Sequence, residues 1–262
     1  MTKAKSNRFI EILHNKTAGS SELVVMLNDY FLTSKISVSE IRNKIYKAKS
    51  SLGHFQAVND YLNTLEMKLK NINDLKNFLV DHSAIQVKNI ERIFKEIYPE
   101  LLKVKSIITL SRSGNLLTIL KLWHQTKRNI KVVICESRPR LEGRSMAEEL
   151  AASDIKTLLI TDAMMSLYVP QVDAAIIGAD VILKNGNVVN KVGSKSLALL
   201  CREYNKPFFV VSSQNKFSKR SRFNQKNEDP NEILSKSKKN LSASNIYFEE
   251  VEKKLISKIF TN

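Results

Sequence analysis

The sequence predicts an α/β protein with a helical N-terminal part followed by a parallel sheet, on three observations. Residues 1 to about 100 hold only two glycines, Gly19 and Gly53, and one proline, Pro99, while apolar residues recur three and four positions apart. Beyond Pro99 the texture changes to short Val- and Ile-rich runs. Amphipathic stretches separate those runs and are long enough for right-handed crossovers, the arrangement that covers both faces of a parallel sheet. The expected division is a helical domain over residues 1–100 and a sheet domain over residues 101–262.

In the helical part, Phe9, Ile12 and Leu13 form one apolar stripe and Leu23, Leu27, Tyr30 and Phe31 a second. Leu62, Leu65 and Leu69 form a third, and Ile85, Ile90, Ile93, Phe94 and Ile97 a fourth. Turn and cap residues at 16–20, 33–39 and 71–74 interrupt them, so four or five helices are expected. In the second part, strands are expected at Ser106–Leu110, Lys131–Cys135, Thr157–Thr161, Ala174–Gly178 and Phe208–Ser212. Helices should fall near Leu116–Gln125, Arg144–Ala152 and Ser194–Tyr204. The Lys/Arg/Ser/Asn-rich stretch Gln214–Ser244, with the turn-like EDPNE at 228–232, reads as a surface excursion.

Composition narrows the classes. With 262 residues, 43% of them hydrophobic, the chain can bury a substantial core. It has no run of 18 apolar residues and no secretory h-region, so a cytoplasmic location and no membrane partner are expected. The formal charge of +16 attracts RNA, acidic partners and phosphorylated small molecules alike. No recognised RNA-binding signature or aromatic stacking motif accompanies it, so charge alone does not single out nucleic acid. Cys135 and Cys201 lack the CxxC spacing of zinc or redox sites and read as structural thiols. His14, His54, His82 and His124 lie in helical segments without ligand spacing, so neither a metal nor another cofactor is expected.

Three motifs follow strand ends, where open parallel sheets gather their ligands. TLSRSGNLL, from Thr109 to Leu117, puts Ser113, Gly114 and Asn115 at a strand-to-helix junction, where open N–H groups and the helix dipole favour a phosphate. An ordinary capped turn explains the same residues. GADVILKNGNVVNKVGS, from Gly178 to Ser194, sets Asp180, Asn190 and Lys191 around an Asn185–Gly186 hairpin turn, a combination that can orient a polyol and neutralise a phosphate. A turn-capping Asp and a surface Lys are the structural alternative. ESRPRLEGR, from Glu136 to Arg144, offers Arg138 either as an anion clamp or as a partner of Glu136.

These motifs, together with AGSSEL, PFFVVSSQNKFS and NIYFEEV, resemble the family of initiation factor 2B alpha, beta and delta subunits, methylthioribose-1-phosphate isomerase and ribose-1,5-bisphosphate isomerase. The resemblance runs from about Thr17 to the C-terminus and implies a helical domain followed by a Rossmann-like domain that dimerises. It also implies that Asp180 stands where the isomerases keep an acid/base aspartate, that Asn190 and Lys191 hold substrate, and that Lys216 contacts a phosphate. Ser111 occupies the position of their catalytic cysteine, and Lys49 aligns loosely with a pocket arginine. A serine hydroxyl is several pKa units less acidic than a thiol, so it is a poor proton shuttle near neutral pH without a strong base beside it. Ala18 and Gly19 occupy the place of the isomerases' Arg-Gly-Ala signature. The expectation is therefore a regulatory, subunit-like protein that binds a phosphorylated sugar or nucleotide, as a dimer or larger assembly, with a translation-factor partner. A divergent ribose-phosphate isomerase is the alternative, and a basic RNA-associated scaffold a third reading.

Overall fold

The computed structural model describes residues 2–15, 18–53, 55–236 and 238–262; His54 and the start of the break at 16–20 lie outside them. The chain divides into two compact units, Met1–Glu91 and Arg92–Asn262. The first is helical: α1 (Thr2–Leu13), α2 (Ser20–Thr33), α3 (Val38–Leu52), α4 (Gln56–Lys68) and α5 (Ile72–Lys103), the last of which continues into the second unit. Ser37 starts α3 with a reciprocal cap: its hydroxyl accepts from the Glu40 N–H at 3.3 Å, and the Glu40 carboxylate accepts from the Ser37 N–H at 2.8 Å.

Three of the four expected stripes are buried together, with Leu23, Leu27, Leu62 and Leu65 fully enclosed. Burial of each such side chain contributes about 1.5–3 kcal/mol. The fourth stripe needs correcting at its start, because Ile85 is 53% exposed while Ile93 and Ile97 are fully buried. Helix α3 supplies Ile41, Ile45, Ala48 and Leu52, a face diluted by Lys and Ser. Pro99 lies within α5 instead of ending the helical region.

The second unit follows the expected alternation. Strands β1 (Ser106–Leu110), β2 (Lys131–Cys135) and β3 (Lys156–Ile160) are joined by α6 (Gly114–Thr126) and α7 (Glu142–Ala151). The short helix α8 (Met165–Tyr168) leads to β4 (Ala174–Ile177), the hairpin strands β5 (Val181–Ile182) and β6 (Val188–Lys191), α9 (Ser194–Glu203) and β7 (Phe208–Val211). After the excursion come β8 (Phe248–Val251) and β9 (Lys258–Phe260), which the sequence reading did not foresee.

Six strands make a parallel sheet in the order β3-β2-β1-β4-β7-β9, and β5-β6-β8 form a small antiparallel sheet. The central strands β1, β2, β4 and β7 are buried nearly throughout, as expected for Val/Ile runs covered on both faces. Strand order reverses between β1 and β4, which makes that point the topological switch of the sheet. Among the described residues, no helix is long and apolar enough to cross a membrane.

Candidate functional site

The switch point is closely packed. After β1 the chain turns through Ser111, in the left-handed region at φ 62, and its N–H donates to Ser137 Oγ at 2.6 Å. Ser113 caps α6, its hydroxyl accepting from the Leu116 N–H at 3.4 Å. Asn115 is buried and donates its amide to Ser213 Oγ, beyond β7, at 2.8 Å. On the facing strand end, a Cβ at Gly178 would lie 2.6 Å from Ser113 Oγ, so only glycine lets β4 finish against this turn.

Asp180 follows directly, and its backbone N–H donates to Val189 O at 2.9 Å across the predicted hairpin. Gly186 completes the hairpin turn at φ 84. Strand β6 then carries Asn190 and Lys191 inward, at 6% and 2% exposure. The Asn190 amide donates to Ser194 Oγ at 2.9 Å. Lys191 Nζ donates to Glu142 Oε1 at 3.0 Å and lies 5.1 Å from the centre of the Tyr247 ring. Lys216, at 6% exposure, ends the short 3-10 turn Gln214–Lys216 after β7.

Burial and charge act together here. Burial raises the pKa of the Asp180 carboxyl and Glu142 pushes it the same way, while Lys216 and Lys191 pull it down. Burial likewise lowers the pKa of the Lys216 ammonium against the opposing pull of Asp180. Two carboxylates and two ammonium groups from four separate segments thus interact at one rim, with no net charge when all are ionised. Such a cluster can bind an anion through the lysines and hydroxyl groups through the carboxylates.

The sequence reading missed Glu142. It opens α7, its side chain is 13% exposed, and its Oε2 is buried with no hydrogen-bond partner among the described residues. The signal available was the Glu-Gly pair that starts the helix. A Cβ at Gly143 would come within 1.9 Å of Cys135 O, so glycine seats α7 directly on the end of β2. Tyr247, whose ring centre lies 5.1 Å from Lys191 Nζ and 5.3 Å from the Arg140 guanidinium, was missed as well.

Arg138 does not take the expected partner. Glu136 pairs with Arg144 at 2.6 Å, and Arg138 uses its backbone N–H to bond Asp162 at 2.7 Å. Lys49 belongs to the first unit, where it pairs with Glu66. The start of α9 is occupied by the protein itself, because Glu249 Oε1 accepts from the N–H groups of Gly193 at 2.6 Å and Lys195 at 2.9 Å. Both cysteines are buried, and burial pushes each thiol up to about 12, with Asp162 adding to the shift at Cys135. Neither is a substitute for a reactive thiolate.

A family model described as the initiation factor 2 subunit family matches residues 9–262. The chain belongs to this family. A Pyrococcus horikoshii protein named for its likeness to subunit 2 of translation initiation factor eIF-2B is 44% identical over 111 residues, which are 42% of this chain and 40% of that protein. A ribose 1,5-bisphosphate isomerase of Archaeoglobus fulgidus is 32% identical over 118 residues, 45% of this chain and 38% of the isomerase. The matches thus span about two fifths of the length of these relatives. The crystal structure of a Pyrococcus horikoshii translation initiation factor eIF-2B superposes with a TM-score of 0.74 at 25% identity, covering 100% of this chain and 96% of that one. The chain is therefore similar to both factor-named and isomerase-named proteins.

Proposed function

We propose that the protein binds a phosphorylated sugar or nucleotide at the rim formed by Asp180, Asn190, Lys191 and Lys216, and acts as a regulatory member of an initiation factor 2B-like assembly. The observation that carries this reading is the charge-balanced set of two lysines and two carboxylates at the carboxyl end of a parallel sheet; the resemblance adds that Ser111 holds the sequence position of the isomerases' thiol. Buried charges are costly to stability, so their retention at a strand-end rim favours a ligand role. Ser113, Gly114 and Asn115 would complete the phosphate contacts at the α6 turn. The assembly is a homodimer or larger, contacts a translation factor, and works in the cytoplasm.

Thermal shift and calorimetry with ribose 5-phosphate, ribose 1,5-bisphosphate, AMP and inorganic phosphate test it. Saturable stabilisation by at least one of the organic phosphates, lost in Lys216→Met, is expected. A complete absence of stabilisation at millimolar ligand would end the proposal.

One observation favours the isomerase reading instead: the Asp180 carboxyl, its pKa raised by burial, is suited to carry a proton, and Glu142 supplies a second carboxylate. Turnover of ribose 1,5-bisphosphate that disappears in Asp180→Asn would replace the regulatory role with that one.

A further inference from the structure

The hairpin between β5 and β6 gathers cations from three parts of the chain. Its turn carries Lys184. The first residues of the excursion lie along it: Ser218 N–H donates to Ile182 O at 2.8 Å, Lys184 N–H to Arg220 O at 2.9 Å, and the Asn185 amide to Ser221 O at 3.4 Å. On its other flank, Lys253 N–H donates to Asn187 Oδ1 at 2.9 Å, and a Cβ on Gly186 would lie 2.8 Å from Lys253 Cδ. These bonds gather Lys184, Lys219, Arg220, Arg222, Lys253 and Lys254 around the hairpin, all exposed.

None of the six forms an ion pair among the described residues. Of the carboxylates nearest in sequence, Glu250 accepts from the Asn187 amide on this hairpin, and Glu252 pairs with Lys195 at 2.8 Å while also interacting with the charge of Lys254. Phe217, bridged to Ile182 of β5, is 55% exposed in the same stretch. An excess of exposed cations beside a solvent-facing aromatic residue matches a chain that alternates phosphates and flat bases, because the phosphates neutralise the cations while a base covers the ring. An acidic polypeptide would meet the charges and leave the ring uncovered.

We propose that this hairpin edge binds single-stranded polynucleotide, with the lysines and arginines on the phosphates and a base stacked on Phe217. The surface shares the β5–β6 hairpin with the Asp180–Lys191 rim but uses different residues and a different readout.

Fluorescence anisotropy on the full chain, with RNA and DNA strands of about twenty nucleotides, reads it out. For six phosphate contacts, log affinity should fall against log salt with a slope of about −4. Changing Lys184, Lys219, Arg220 and Lys253 to Gln together should reduce that slope to about −1 and weaken binding at least about tenfold in moderate salt. A control with Lys70, Lys76, Lys88 and Lys95 changed to Gln, equal in charge, should keep the wild-type slope. Phe217→Ala should weaken binding about fivefold or more with the slope unchanged. Tighter binding of one strand type over the other assigns the source, RNA or DNA.

Equal losses in the control and the hairpin variant would overturn the proposal in favour of diffuse charge. Equal affinity for a polyglutamate peptide or for phosphatidylserine vesicles would overturn the polynucleotide assignment, as would the absence of saturable binding. Circular dichroism melts establish that the variants fold; should the quadruple variant not fold, Arg220→Gln, expected to reduce the slope to about −3.5, and Phe217→Ala decide instead.

Discussion

The two units bury polar groups in opposite ways. In the helical unit the buried polar centre is neutral and closed on itself: Asn28 donates to Leu79 O at 2.9 Å and Ser83 Oγ at 2.8 Å, and accepts from the Tyr61 hydroxyl at 3.0 Å. In the sheet unit the buried polar centre is ionic, built from Lys191, Glu142, Asp180 and Lys216, and Glu142 keeps one oxygen without a partner among the described residues. A closed neutral network fixes the register of the helices that share it. An ionic cluster carries the cost of desolvated charge, and here it keeps an unused acceptor at Glu142 Oε2.

The sharpest way to break this contrast is Lys191→Met. It leaves the Glu142 carboxylate without its cation in a largely buried position and should cost about 3–5 kcal/mol, with much of the loss recovered when Glu142→Leu is added. Trp123, the single tryptophan and fully buried in α6, reports on that unit through its fluorescence during denaturant unfolding. Failure of the double variant to recover stability would mean that the pair is not the unit of charge balance.

Asn28→Ala tests the other side. It leaves the buried Tyr61 hydroxyl without its acceptor and opens a small cavity, for a loss of about 2–3 kcal/mol. The far-UV circular dichroism transition, weighted toward the helices, should move without the pH dependence expected of an ionic site.

The smallest effect is in pH. Because burial raises the Asp180 pKa above 3.8, the folded state binds that proton more tightly than the unfolded chain. Stability from this group is therefore greatest at low pH and is lost as pH rises from the unfolded pKa through the raised folded one. Asp180→Asn removes that dependence, so the variant should gain melting temperature relative to wild type at pH 8 and lose the gain near pH 4. A difference that grows toward acid would show that the Lys216 charge dominates the coupling.

Much of the architecture was readable from residue pattern. The strands β1 and β2 lie at the expected residues, and β3, β4 and β7 within one residue of them, because each is a short apolar run bounded by polar turns. The Asn185–Gly186 turn announced its hairpin. Helix α3 was harder, since its buried face depends on Ala48 and two isoleucines set among Lys and Ser. Strands β8 and β9 were hidden because FEEV and KIF have no hydrophobic period to read and owe their form to pairing with β6 and β7. Ile85 shows the reverse error, a periodic residue left in solvent because the helix turns that position outward.

For the site, the sequence by itself determined the chemistry available: an acid, an amide and an ammonium close together in one motif, a lysine beyond the next strand, and a serine in place of a thiol. Spacing along the chain made Asp180, Asn190 and Lys191 neighbours through one hairpin. Only the tertiary structure decided that Lys191 faces Glu142, 49 residues earlier, and that Arg144 takes Glu136. Ion pairing depends on distance and burial in space, and in a parallel sheet both are set by the crossovers and strand order, which bring together residues that no local pattern connects.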